Sequence, residues 1–179
     1  MMSFDMRQLG LFHRDISISI VSIFILSVPI ISTTAFAQQM FFNANLSGKN
    51  LSPAVSTTAT GTAKFTLDPQ GNMAYELDVK NIKGVIGAHI SLQNGTDLAQ
   101  VFNPYMEIAG KSEIPTGQVS GLLSKGVLAP HDLSGTLIGK NMTDLANLMK
   151  NGSVHVVVRT QAHETGEIQG TITPTTLVK

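Results

Sequence analysis

Cysteine and tryptophan are both absent from the 179 residues. Without cysteine there is no disulfide framework, no thiol nucleophile and no thiolate metal site. Charged residues make up only 13% of the chain and the net charge is zero, so nothing steers it toward nucleic acid or an anionic membrane surface. A G-x-S-x-G elbow, an H-E-x-x-H pair and a phosphate-cradling loop are all missing. Beyond the first forty or so residues, no stretch is long and apolar enough to span a bilayer.

What is present begins with a leader. Met1 to Asp15 carries Arg7 and Arg14, with Asp5 and Asp15. Ile16 to Ile31 is apolar and uncharged, and Ala35 and Ala37 fit a small-x-small cleavage site. Residues 1–37 read as a secretory signal peptide cleaved after Ala37. The apolar run is short of the roughly 20 residues a span needs, and Pro29 interrupts it. No membrane span is therefore expected after cleavage. No cysteine follows the run, so a lipoprotein anchor at that point is ruled out. Residues 38–179 remain as one domain, secreted or held in the extracytoplasmic space or at the cell surface, with its stability supplied by its core.

Thr, Ser, Gly, Asn and Val are plentiful in this part, which suits short strands and many turns. Phe42, Ala44 and Leu46 alternate with polar residues in a first strand. Gly48 to Thr58 is a loop. Thr60 to Leu67 and Met73 to Val79 are strands around the turn Asp68-Pro69-Gln70-Gly71-Asn72, where proline suits the second turn position and glycine accepts a positive φ. His89 and Ser91 share one face of the next strand, and Asn94-Gly95 turns the chain. Leu98 to Phe102 and Gln118 to Ser124 are short strands, with Tyr105 to Gly117 irregular between them. Met142 to Lys150 is the one helical segment, with Asn141 or Thr143 as cap. The pattern predicts an all-β antiparallel sandwich with one short helix.

The stretch Ser153 to Thr173 is the most informative. Val154, Val156 and Val158 point one way, and His155, Val157 and Arg159 the other. Gln161 to Gly166 turns the chain into a second strand carrying Ile168 and Ile172. This is a closing hairpin.

Read together, these residues resemble the CHRD family, named for repeated domains in chordin. Phe42-x-Ala44-x-Leu46-Ser47-Gly48, Thr60-Gly61-x-Ala63-x-Phe65, Tyr75-x-Leu77-x-Val79, Gly87-Ala88-His89-Ile90 and Gly166-Glu167-Ile168-x-Gly170 follow the family's order over roughly Phe41 to Thr173. The resemblance implies an immunoglobulin-like sandwich with some likeness to copper-zinc superoxide dismutase, and no established catalytic activity. Ser91 and Arg159 occupy positions where the family commonly has histidine.

Two readings follow. The preferred one is an exported, non-enzymatic CHRD module that binds a protein or surface polymer, or serves structurally, without a cofactor. The alternative is a copper- or zinc-binding protein using His89 with His155 and His163, with Glu164 beside them, since imidazoles suit both metals. Against it stands Arg159, a permanent cation that repels a metal ion at short range; the competing expectation is that Arg159 pairs with a carboxylate such as Glu167 and that His89 is a hydrogen-bonded residue at a strand end. His163-Glu164 and Glu167 are read as a solvated turn rather than acid–base machinery. Asn45, Asn50, Asn94, Asn141 and Asn151 open glycosylation sequons, of which fewer than five are expected to be used.

Overall fold

A computed structural model describes residues 39–104 and 117–175. The leader lies outside the described residues, as does nearly all of the irregular segment expected at Tyr105 to Gly117.

Strand formation starts from turn chemistry. Strand β2 (Thr60–Leu67) and strand β3 (Met73–Lys83) pair antiparallel from Leu67↔Met73 to Thr60↔Lys80. Their turn is closed by the Gly71 amide donating to the Asp68 carbonyl at 3.1 Å, with Gly71 at φ 87°. The Asp68 carboxylate accepts from the Asn72 amide and side chain at 2.8 and 2.9 Å. Those bonds favour the ionised form and hold the carboxyl below its ordinary range. Strand β1 (Met40–Ser47) pairs with β2 on the other side. Phe42, Ala44, Leu46, Ala63, Phe65, Leu67, Met73, Leu77 and Val79 are all buried, as the period of two requires.

β3 runs four residues beyond the expected end at Val79. The register with strand β6 (Gln118–Leu128) shifts between Val79 and Ile82. Asn81 takes φ 56° within this bulge, a left-handed conformation that asparagine tolerates. The extra residue turns Ile82 inward, where it is fully buried.

Strand β4 (Val85–Leu92) and strand β5 (Asp97–Phe102) form a second hairpin through Asn94-Gly95. Strand β7 (Val154–Thr160) pairs with β4, and strand β8 (Ile168–Thr171) with β7. The full order is β5-β4-β7-β8-β1-β2-β3-β6, with the short β9 (Thr173–Pro174) also on β1. β8 and β9 run along β1 in one register, Ser47↔Gln169, Asn43↔Thr173 and Phe42↔Pro174. This seam joins the half β5-β4-β7-β8 to the half β1-β2-β3-β6. The end strands β5 and β6 also approach each other, so the sheet nearly closes around one hydrophobic core. The all-β sandwich expected from the sequence is the fold observed.

Helix α1 (Met142–Lys150) has the expected bounds. Asn141 caps it, accepting from the Asp144 amide at 3.0 Å, while the Asp144 carboxylate accepts from the Asn141 amide at 3.1 Å. At its other end the Gly152 amide donates to Met149 and the Ser153 amide to Leu148, with Gly152 at φ 64°. That pattern is a Schellman termination. Met142, Leu145, Ala146 and Met149 join the core.

Candidate functional site

Directly opposed residues of an antiparallel pair present their side chains to one face. Gly87 opposes Arg159, His89 opposes Val157, and Ser91 opposes both His155 on β7 and Asp97 on β5. The outer face of this half-sheet therefore gathers His89, Ser91, Asp97, His155 and Arg159. The inner face of β7 carries Val154, Val156, Val158 and Thr160, all fully buried.

Arg159 does not pair with Glu167. Its two terminal nitrogens donate to both oxygens of Asp97, Nη1 to Oδ2 and Nη2 to Oδ1, each at 2.9 Å. Ser91 Oγ adds a 2.6 Å bond to Asp97 Oδ1. The reason is strand alternation. Glu167 faces the Thr160 side of β7, and Arg159 projects from the opposite side. Glu167, buried, instead accepts from Thr57 Oγ1 at 2.7 Å and from Thr160 Oγ1 at 2.8 Å.

Burial alone would raise the Asp97 carboxyl, but the bonds from Arg159 and Ser91 outweigh it and hold the group below its ordinary range. His89 Nδ1 lies 3.4 Å from Arg159 Nη1. A guanidinium only donates, so the ring must present an unprotonated Nδ1. Burial lowers the His89 imidazole from its ordinary value and the Arg159 charge lowers it further, with Asp97 opposing. His155 is lowered in the same way, chiefly by burial. Both shifts favour the uncharged ring.

Above this face lies a groove of about 490 Å³. Ser91, His155, Val157 and Arg159 form its floor, the loop Asn50 to Val55 one wall, and His163, Thr165 and Gln169 the other. The loop is fastened at several points. Asn50 Nδ2 donates to the Asn45 and Gln169 carbonyls at 3.1 and 2.8 Å. The Val55 amide donates to Gly48 O at 2.9 Å. Thr57 is tied to Glu167 as described. A Cβ at Gly48 would run into the Val55 carbonyl, so this closure requires glycine.

The terminal motif has a physical reading at each position. Gly166, at φ 145°, sits where a Cβ would fall 2.7 Å from Val157 Cγ2 and 2.8 Å from Leu51 Cδ2. Glu167 is the buried clamp, Ile168 is fully buried core, and Gly170 lies against the Asn45 carbonyl of β1 with no room for a side chain.

Of the three candidate metal ligands, His155 and His163 line the groove. His89 lies beside the Arg159 guanidinium, and Glu164 is exposed in the turn. Among the described residues no group of three or more His, Cys, Asp or Glu is arranged to hold a metal ion. Asp97 was not singled out by the sequence. Its only local signal is its place across the Asn94-Gly95 turn from Ser91.

A near-closed antiparallel sandwich with a loop-walled groove on one outer face defines the class of this domain. Residues 42–172 match the CHRD domain, and the chain belongs to that family. The CHRD domain is not known as an enzymatic family. No curated protein and no solved structure gives a significant match.

Proposed function

We propose that this CHRD domain is an exported, non-enzymatic binding module of the cell surface or extracytoplasmic space, and that the groove over β4 and β7 is where it engages its partner. The observation that supports this is the locked floor. Arg159, Asp97 and Ser91 hold one another in fixed geometry under a recess walled by a fastened loop. Loops on a rigid scaffold are the usual place for recognition. Low net charge and the leader at residues 1–37 fit an exported role. The test is cell fractionation with a pull-down from the envelope fraction, using the protein beside a Gln169→Ala, His163→Ala double variant. Retention on envelope material that the double variant loses supports the module. A monomer free in the medium that retains nothing overturns it.

A second reading, copper or zinc bound by His89, His155 and His163, draws on one observation. Two of those rings share the groove, and His155 Nδ1 is buried with no protein partner. The Arg159 guanidinium beside His89 opposes a cation there. Calorimetric titration with each metal decides it. One-to-one binding tighter than about 1 μM that a His89→Ala variant weakens carries this reading, and binding indifferent to His89 ends it.

A further inference from the structure

The groove has a composition that its position does not require. Among the described residues no Asp or Glu lines it. Its charged and titratable lining residues, among those described, are Arg159, His155 and His163, while Asp97, which balances Arg159, is not part of the lining. Arg159 has five N–H donors. Its bonds to Asp97 come from the two terminal nitrogens, and donors remain beyond that pair. Gln93, Gln169, Ser52 and Thr165 add amides and hydroxyls around the rim, and Val157 and Pro53 add apolar surface.

His155 supplies the independent sign that the recess is built for a ligand. Its side chain reaches the groove, yet the residue is only 5% exposed and Nδ1 has no hydrogen-bond partner in the protein. A buried polar atom left unpaired costs stability, and such atoms in native folds call for an explanation. With its proton on Nδ1, the ring offers that unpaired donor to an acceptor in the groove.

We propose that the groove binds an acidic saccharide, with the carboxylate taken by Arg159 and His155 and the ring hydroxyls by the amides and hydroxyls of the rim. A volume of about 490 Å³ lies within the usual range of small-ligand sites. The acid-free, donor-rich lining selects a ligand that accepts hydrogen bonds and carries negative charge. The apolar patch suits the C–H face of a sugar ring. This deepens the binding-module reading and rests on it.

The test is calorimetric titration of the purified protein with digalacturonate, beside cellobiose as a neutral disaccharide and acetate as a bare carboxylate. Digalacturonate is expected to bind with Kd below about 1 mM, at least about tenfold tighter than either comparison ligand. His163→Ala and Gln169→Ala sit on the partly exposed wall and leave the core intact. Each is expected to weaken binding about fivefold, and His155→Phe to weaken it further. Equal binding of cellobiose overturns the role of the acid, and equal binding of acetate overturns the saccharide. Binding that all three variants leave unchanged overturns the groove as its site. Absence of digalacturonate binding in a protein that envelope material still retains overturns the ligand and leaves the module standing.

Discussion

Arg159 and Asp97 stand on strands that are not neighbours, and their two 2.9 Å bonds pass over β4 between them. The pair therefore ties three strands together. Their side chains are 24% and 32% exposed, so solvent screens the interaction only in part. Arg159→Ala should destabilise the domain by about 2 kcal/mol, because it leaves the part-buried Asp97 carboxylate with only its Ser91 bond. The Arg159→Ala, Asp97→Ala double variant should cost less than the sum of the singles, with a coupling of about 1–2 kcal/mol. Urea unfolding of the four proteins measures it. Additive losses would show that the pair contributes nothing of its own.

Acid should weaken the fold in two stages. His89 and His155 have folded-state values below their ordinary 6.5. The unfolded chain then binds more protons than the folded one as pH drops past that value. Their contribution is fully present above about pH 6.5 and is lost as pH falls through the folded values. Asp97, lowered from 3.8, adds a second loss at more acidic pH. The urea midpoint should fall between pH 7 and pH 5, and a His155→Phe variant should flatten that slope. A midpoint that rises on acidification would contradict the assignment.

The Thr57–Glu167–Thr160 clamp predicts a local effect. Each hydroxyl donates to the carboxylate and accepts a backbone amide, Thr57 from Ala59 at 3.1 Å and Thr160 from His163 at 3.2 Å. Thr57→Val should cost about 1 kcal/mol. It should raise hydrogen exchange at the Val55 and Ala59 amides ahead of those in β2 and β3. Uniform acceleration across the sheet would mean that the loop does not open by itself.

Gly170→Ala should be among the most damaging single changes. Its Cβ would collide with the Asn45 carbonyl, where neither backbone can move without breaking the seam between β8 and β1. A loss of about 2–3 kcal/mol is expected in thermal or urea unfolding. Gly71→Ala, with open space around its turn, should cost only the penalty of its φ of 87°.

The leader reading predicts a first residue. Intact-mass analysis of protein recovered outside the cytoplasm should give a chain beginning at Gln38. A mass that retains residues 1–37 would overturn cleavage after Ala37, and protein found only in the cytoplasm would remove the export proposal.

Local chemistry was legible in the sequence and long-range partnership was not. The β2–β3 hairpin could be read because Asp68-Pro69-Gln70-Gly71 carries its own turn geometry. Helix α1 could be read because Asn141, Asp144 and Gly152 mark its ends. The polar face of β7 followed from alternation alone. The partner of Arg159 did not, because Asp97 meets it only through the strand order β5-β4-β7, which no local pattern encodes. Glu167 looked available by distance along the chain, but it lies on the Thr160 side of the strand. The continuation of β6 past Ser124 was hidden for a related reason. Lys125 to Val127 lie on an end strand, with Val127 61% exposed, so the residues lack the apolar alternation of a covered strand.

The seam made by β8 and β9 sets an order of events during synthesis. Residues 168–174 pair with residues 42–47, the last strands made against the first. Until that segment has left the ribosome, the two half-sheets have no backbone bridge through β1. Contacts this distant in sequence also form slowly. A nascent chain with such an architecture stays open for most of its translation. That is the condition a threading translocase needs, and under the proposal of export the fold would be completed on the far side of the membrane.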